Sequence, residues 1–205
     1  MKKSLAILAS LLVAFTSVVR AQEKCISEYM YREAVAKDPS VADRRRELDM
    51  FTKQYTSATT ARRHVASKMA TPATYVIPVV FHVIHTYGTE NISDAQILDQ
   101  IRILNLDYRA LNADTTTAAN RAFRALMGDA NVEFRLATKD PQGNCTTGIN
   151  RVYSWLTDNA RDNVKALSYW PRNKYLNIWV VRSIANTNGT AGDVIGFAQF
   201  PGGAW

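Results

Sequence analysis

The sequence has 205 residues, a formal net charge of +7 and 47% hydrophobic residues, which is enough length and apolar material for a domain with its own core. The positive charge is not concentrated on the larger part of the chain, because residues 71–205 carry twelve Lys and Arg side chains against eleven Asp and Glu side chains. A nucleic-acid-binding protein concentrates basic residues on its folded body, so the sequence argues against a nucleic-acid partner.

The first 21 residues have the pattern of a secretory signal peptide. Two lysines precede an apolar run from Leu5 to Val19, and the small residue Ala21 marks the expected cleavage site. A membrane span needs about 18 or more consecutive apolar residues, and no segment of the chain reaches that length. We therefore expect a soluble protein that is secreted or otherwise extracytoplasmic and has no membrane partner.

Residues 22–56 are rich in charged residues that favour helices. The sequence DPS at 38–40 is a helix-start pattern, because Asp and Ser are good N-caps and proline suits a first turn. Two short helices are therefore expected, at about 27–37 and 39–54.

Residues 57–74 are rich in Ser, Thr and Ala, and they contain the basic pair Arg62 and Arg63. This composition is typical of an exposed linker that proteases reach. An ordinary loop between two elements has the same composition, so both interpretations stay open.

From Tyr75 onwards, strand patterns alternate with one helix pattern. The segment 75–85 is almost continuously apolar and β-branched, which indicates a strand covered on both faces. A helix is expected after Ser93, because Ser93 and Gln96 have the spacing of a capping box and apolar residues follow at helical spacing. Further strands are expected at 131–138, 174–181 and 194–200. This order predicts an α/β layer with one crossover.

The three histidines do not form a recognisable metal motif. His64 belongs to the linker, and His82 and His85 are three positions apart in a predicted strand, where their side chains point to opposite faces. We therefore expect packing or surface roles for them. The chain also lacks H-E-x-x-H, P-loop, G-x-S-x-G and C-x-x-C motifs, so motifs alone leave its function open.

Five segments, taken in order, resemble the pappalysin-type zinc metalloproteases of the metzincin clan. They are IPVVFHVIH, NISDAQILDQIRILNLDYRALNAD, VEFRLATKDPQGNCTTGINRV, YLNIWVV and GFAQFPGG, and they extend from Ile77 to Gly203. The segment that follows Lys24 is similar to the pro-segment of that family. The resemblance implies an α/β (α+β) fold, a metzincin-like N-terminal subdomain with a mixed, twisted sheet and one long crossover helix, preceded by a short helical pro-segment.

The resemblance also implies a division of the chain into four parts. They are a signal peptide at 1–21, a helical pro-segment at 22–56, a linker with an activation cleavage site at 57–74, and the N-terminal part of a catalytic domain at 75–205.

The family hydrolyses peptide bonds of protein or peptide substrates with a zinc-polarised water, and holds its zinc through an H-E-x-x-H-x-x-G-x-x-H motif. That motif does not occur in this sequence. The chain is therefore expected to be truncated before the zinc-binding helix and inactive alone. Zinc is the implied cofactor, and calcium stays open as a second ion.

The resemblance gives Cys25 a metal-binding role. In related pro-segments a cysteine thiolate takes the place of the zinc-bound water and keeps the enzyme latent, and thiolate is a strong zinc ligand. Cleavage in the linker would release it. The alternative is a disulfide between Cys25 and Cys145, which suits an exported protein with two cysteines.

The resemblance points to Gly196, Phe197 and Ala198 as substrate-binding residues. In metzincin catalytic domains the corresponding edge strand holds an extended peptide by backbone hydrogen bonds. Glycine and alanine are small enough to let a peptide approach closely. An ordinary edge strand with a glycine at a bend is the alternative.

Other functions remain open beside the peptidase. A non-catalytic secreted binding module or a degenerate peptidase would be favoured by a stop codon directly after Trp205, whereas an H-E-x-x-H segment there would favour the enzyme. A freestanding inhibitor formed by residues 22–70 is a further option. For the chain alone we expect poor solubility, because one apolar face of the strands at 75–84 and 174–181 would be bare.

Overall fold

The computed structural model describes residues 26–66, 74–117, 121–186 and 193–199. Its helices are α1 Ser27–Lys37, α2 Ser40–Ala66 and α3 Asp94–Tyr108. Its strands are β1 Tyr75–His85, β2 Val132–Leu136, β3 Ile149–Tyr153 and β4 Leu176–Val180. Short 3-10 helices lie at Ala113–Thr116, Arg121–Leu126, Trp155–Thr157 and Asp162–Leu167. The expected signal peptide and Cys25 lie outside the described residues.

β1 is the central strand of a parallel sheet. β2 pairs with residues 75–79 of β1, and β3 pairs with residues 81–85. β4 pairs with residues 79–83, and because this pairing overlaps with both of the others, β4 lies along the opposite edge of β1. Partners along both edges, with further layers on both faces, explain why β1 is almost continuously apolar in sequence.

The side chains of β1 alternate between two apolar clusters. Val79 and Phe81 pack with Ile97 of α3 on one face of the sheet. Ile84 packs on the other face with Val164, which belongs to the irregular segment between β3 and β4. The two-residue period of a strand produces this division, and the domain consequently has three layers.

α3 is fixed at its start and along its length. The backbone N–H of Gln96 donates to the Ser93 side chain at 3.3 Å, and the Gln96 side chain accepts from the Ser93 backbone N–H at 2.9 Å. The predicted capping box is thus confirmed. Asn105 donates to the carbonyl of Phe134 at 2.9 Å and accepts from its N–H at 2.7 Å, which ties α3 to β2.

An apolar groove remains open between α3 and the β4 side of the sheet. Its volume is about 440 Å³. It is lined by Phe81, Ile92, Gln96, Ile97, Gln100, Leu104, Ile178 and Val180. α3 therefore leaves part of this sheet face open at the groove, but residues 79–84 of β1, for which a bare face was expected, are buried.

The α/β class and the strands expected at 75–85, 131–138 and 174–181 are confirmed, with shorter bounds for the last two. β3 was not predicted, because its sequence INRVY has no long apolar run and its residues are only partly covered. The strand pairings are parallel rather than mixed. Within the described ranges, antiparallel pairing is limited to the isolated bridges Lys139–Cys145 and Ile184–Val194.

The strand expected at 194–200 is wrong over its described part. Residues 195–199 have no regular structure, and Phe200 lies outside the described residues. The physical reason is that, among the described residues, this segment meets its neighbour through the bridge at Val194 and has no continuous backbone partner beyond it.

The second N-terminal helix is longer than expected, since α2 runs to Ala66 and includes the first part of the proposed linker. Hydroxyl side chains are accommodated within this helix. Thr52, Thr56 and Ser57 donate to backbone carbonyls one turn earlier, at 2.8 to 2.9 Å, so they remain inside the helix despite their usual preference for loops. Residues 67–73 of the linker lie outside the described residues.

None of the helices in the described ranges combines the length and the apolar character that crossing a membrane would require.

Candidate functional site

The predicted substrate-binding residues lie in the segment 193–199, called here the candidate peptide-binding segment. It meets the body of the domain through an antiparallel bridge between Val194 and Ile184, and Ile184 in turn bridges Ala160. Ile195 is 99% exposed, and a Cβ added to Gly196 would meet no atom within 4 Å. The segment therefore has an open side at Ile195 and Gly196.

Phe197 is held against the domain by Lys165. The Lys165 Nζ lies 5.4 Å from the ring centre of Phe197 and 5.9 Å from that of Trp179, distances at which a cation is attracted to ring faces. Lys165 also pairs with Asp162 at 2.6 Å. Gln199 Nε2 donates to the same carboxylate at 3.3 Å, so one short 3-10 helix supports the segment at two points.

Trp179 rests on the buried His82. The two rings stack with centres 5.0 Å apart, and the Nε2 of His82 lies 2.9 Å from the Asn177 Oδ1. Burial lowers the pKa of His82, so the ring is neutral near pH 7 and its N–H donates to Asn177. Asn177 also accepts from the backbone N–H of Trp170 at 2.8 Å. This histidine packs the sheet, which confirms the prediction from strand geometry.

The described residues do not by themselves fit a zinc ion. No group of three His, Cys, Asp or Glu side chains in the described ranges is placed to hold a metal. His85 is separate from His82, and its Nδ1 accepts from the backbone N–H of Tyr87 at 3.2 Å. Cys145 is exposed and has no disulfide partner among the described residues. Because Cys25 lies outside the described residues, its zinc-ligand role and its pairing with Cys145 stay predictions.

A buried carboxylate joins the loops that follow the carboxyl ends of the strands. The Glu90 side chain is 1% exposed and pairs with Arg182 at 3.0 Å. It accepts hydrogen bonds from the backbone N–H of Thr86 at 2.7 Å and from that of Gly88 at 3.2 Å. These hydrogen bonds, of which the bond from Thr86 has the largest effect, lower the pKa of Glu90 to about 2. Arg182 also pairs with Asp158 at 3.0 Å. This network fixes the loops after β1, β3 and β4.

Helix α1 touches the candidate peptide-binding segment and its support. The Ser27 Oγ accepts from the backbone N–H of Ala198 at 3.2 Å. The Arg161 guanidinium donates to the Glu33 carboxylate at 2.5 Å and to the Met30 Sδ at 3.4 Å. Sequence reasoning missed Arg161, because a single arginine in an irregular segment belongs to no motif.

No family model and no curated protein matches the chain. Among solved structures, it is similar to a promirolysin mutant from Tannerella forsythia, with 38% identity over 77% of this chain and 51% of that chain, at a TM-score of 0.55. It also matches mature mirolysin from Tannerella forsythia in complex with a cleaved peptide, and mirolysin in complex with compound 9. Both share 44% identity and cover 53% of this chain and 43% of theirs, at TM-scores of 0.45 and 0.48.

The chain thus spans about half of the length of these relatives. Its fold matches the N-terminal subdomain of a metzincin-like protease, as seen in promirolysin. The identity of 38% with promirolysin supports a relationship to metallopeptidases.

Proposed function

We propose that the chain is the N-terminal part of the precursor of a secreted, zinc-dependent endopeptidase of the pappalysin family. The observation that supports this proposal is the 38% identity with promirolysin over 77% of the chain, combined with a shared fold. In this proposal residues 22–56 are a pro-segment, the cleavage that activates the enzyme falls within 57–74, and the substrates are proteins or peptides.

The described residues would contribute to substrate binding. The candidate peptide-binding segment has an open side at Gly196, to which an extended peptide would add as a strand does. Lys165 keeps the neighbouring Phe197 ring against the domain, so the backbone on either side of Phe197 is held in position. Ordering this backbone before the substrate arrives lowers the entropy cost of binding.

Zinc is the cofactor that the similarity implies, and when bound it would supply a polarised water for hydrolysis. The described residues contain no group that would hold it. Under this proposal Cys25 is a ligand in the latent state only, and the remaining ligands are not among the described residues.

A peptidase assay combined with metal analysis tests the proposal. Residues 1–205 are compared with a polypeptide extended by the downstream reading frame, each before and after removal of the pro-segment. We expect one zinc per molecule and chelator-sensitive turnover in the extended form alone. Turnover with stoichiometric zinc in the short form would refute the proposal that the catalytic zinc ligands lie outside residues 1–205. An extended form without turnover after removal of the pro-segment would refute the peptidase function and favour a binding module.

A further inference from the structure

We propose that Asp162 and Lys165 are positioning residues, which fix the register of the candidate peptide-binding segment. They contact the side chains of Phe197 and Gln199, and thereby determine which backbone groups of the segment face a bound peptide. The role in peptide binding rests on the proposed peptidase function, whereas the fixing of the segment does not.

The first observation is the alternating exposure of residues within the segment. Phe197 and Gln199 are half-buried, whereas Ala198 between them is exposed. An extended chain turns successive side chains to opposite sides, so the segment has an inner and an outer side here although it is not part of a regular strand. A shift by one residue would exchange the two sides. The contacts of the two inward side chains therefore define the register.

The second observation is that both inward side chains meet the same ion pair. Asp162 and Lys165 lie three positions apart in one short 3-10 helix, and the Lys165 Nζ pairs with the Asp162 Oδ1 at 2.6 Å. The Gln199 Nε2 donates to that same oxygen at 3.3 Å, and the Lys165 Nζ lies 5.4 Å from the ring centre of Phe197. One ion pair thus contacts the inner side of the segment at two positions.

The third observation is the low exposure of this ion pair to water. The side chains of Lys165 and Asp162 are 13% and 26% exposed. A pair with the same spacing on α3, between Asp99 and Arg102, has side chains that are 56% and 61% exposed. Contacts of a cation with ring faces, and hydrogen bonds to a carboxylate, are stronger where water is largely excluded. The Asp162–Lys165 pair is therefore better placed than an exposed pair to hold a neighbouring segment.

The fourth observation is that Lys165 also contacts a ring that is anchored in the sheet. Its Nζ lies 5.9 Å from the ring centre of Trp179, which stacks on the fully buried His82 with ring centres 5.0 Å apart. A continuous row of contacts therefore runs from His82 through Trp179 and Lys165 to Phe197. This row fixes the segment relative to the core of the sheet.

Limited proteolysis of the full chain with chymotrypsin tests the fixing of the segment. Lys165→Met keeps an apolar stem but removes the charge, whereas Lys165→Arg keeps a cation. We expect cleavage after Phe197 to be roughly five times faster, or more, in Lys165→Met than in the unmodified chain, because a protease needs a locally released segment. Lys165→Arg should stay close to the unmodified rate. The matched control Asp99→Ala, which removes the exposed pair on α3, should leave this cleavage unchanged.

Cleavage after the buried Phe81 reports global unfolding and should be equally slow in all these variants. If Lys165→Met also accelerates that cleavage, Asp162→Asn decides in its place, because it removes the ion pair and keeps an oxygen that accepts from Gln199. Asp162→Asn should then accelerate cleavage after Phe197 alone. Equal rates in Lys165→Met and Lys165→Arg, or an unchanged rate in Asp162→Asn, would overturn the proposal.

Activity measurements separate this proposal from the peptidase function. If the extended form proves to be a peptidase, Lys165→Met should raise its KM for a peptide several-fold and leave kcat nearly unchanged, because a loose segment weakens the binding of substrate and transition state alike. Lys165→Arg should restore the KM. An unchanged KM in Lys165→Met would refute the role in peptide binding. If the extended form has no peptidase activity, the cleavage rates after Phe197 still decide whether the ion pair fixes the segment.

Discussion

At the scale of single residues, Glu90 and Arg182 illustrate how polar groups organise the loops of this domain. The Glu90 carboxylate would be costly to bury alone, yet Arg182 and backbone donors from the loop after β1 satisfy it. The pairing spans 92 positions of sequence, and both residues occur in segments without a motif. Only the folded chain brings them together.

The contribution of Glu90 to stability should be visible in the pH dependence of unfolding. The pKa of Glu90 falls from an ordinary value of 4.5 to about 2 on folding. Its contribution to the free energy of unfolding is therefore complete above about pH 4.5 and is lost as the pH falls towards 2. Denaturant unfolding between pH 2.5 and 6 should therefore show a steep acid loss of stability that Glu90→Gln reduces. The exposed control Glu28→Gln should retain the steep loss. Identical pH profiles for both variants would contradict this account.

Gly88 is a position where an added side chain would disturb the Glu90–Arg182 network. A Cβ there would lie 2.7 Å from the Arg182 Nη2 and would also collide with the Glu90 carboxylate. We expect Gly88→Ala to lower the free energy of unfolding by roughly 1–3 kcal/mol, as overpacking does elsewhere.

Gly128→Ala is the matched control for this prediction, because an added Cβ at Gly128 meets no atom within 4 Å. Thermal and denaturant unfolding of both variants compare the two sites. A similar change in both would show that the crowding around Gly88 is relieved without cost.

His82 shows what sequence reasoning achieves at this scale. Period-2 geometry predicts that His82 and His85 point to opposite faces and have packing or surface roles, and the buried His82 is a packing residue. The partners of His82, which are Asn177 and Trp179, come from β4. Such partners follow from the order of strands in the sheet, which local patterns do not contain.

At the scale of elements, the parts with strong local signals were predicted best. α3 has a capping box and apolar spacing, and β1 has a long apolar run, so the start of α3 and both bounds of β1 were predicted. β3 and the segment 193–199 depend on partners distant in sequence. In the candidate site, Gly196 to Ala198 were identified through family resemblance, whereas the supporting Lys165 and Arg161 were not identified.

The capping box of α3 provides a prediction at this scale. Ser93→Ala removes the side chain that accepts from the N–H of Gln96, so we expect a loss of about 1 kcal/mol in the free energy of unfolding. Ser57→Ala is the control, since Ser57 is exposed within α2 and only donates to the carbonyl of Gln54. The denaturation midpoints of the two variants measure the change in stability that each substitution causes. A control as destabilised as Ser93→Ala would show that the effect does not arise from the cap.

At the scale of the whole molecule, an exposed aromatic cluster lies beyond the carboxyl ends of β1 and β3. Tyr87 and Trp155 are 77% and 70% exposed, and Tyr153 lies between them with ring centres 5.5 and 6.3 Å away. Contiguous exposed aromatic surface promotes association. Together with the open groove beside α3, this cluster gives a structural reason for the poor solubility expected from the sequence.

Replacing the cluster should improve solubility. The triple variant Tyr87→Ser, Tyr153→Ser and Trp155→Ser is expected to remain monomeric at several-fold higher protein concentration, because less apolar surface is available for contact. Light scattering against concentration measures this. Tyr169→Ser, which removes an exposed tyrosine outside the cluster, is the control. A monomeric, cooperatively melting unmodified chain would contradict the predicted poor solubility.

The central position of β1 also has a consequence for the order of folding. Its partners β2, β3 and β4 all follow it, and β4 begins only at Leu176. Parallel pairings between distant segments form slowly. On the ribosome, β1 emerges before any of its partners, while α1 and α2 have already been synthesised. For a protein proposed to be exported, late completion of the sheet would favour translocation of an unfolded chain.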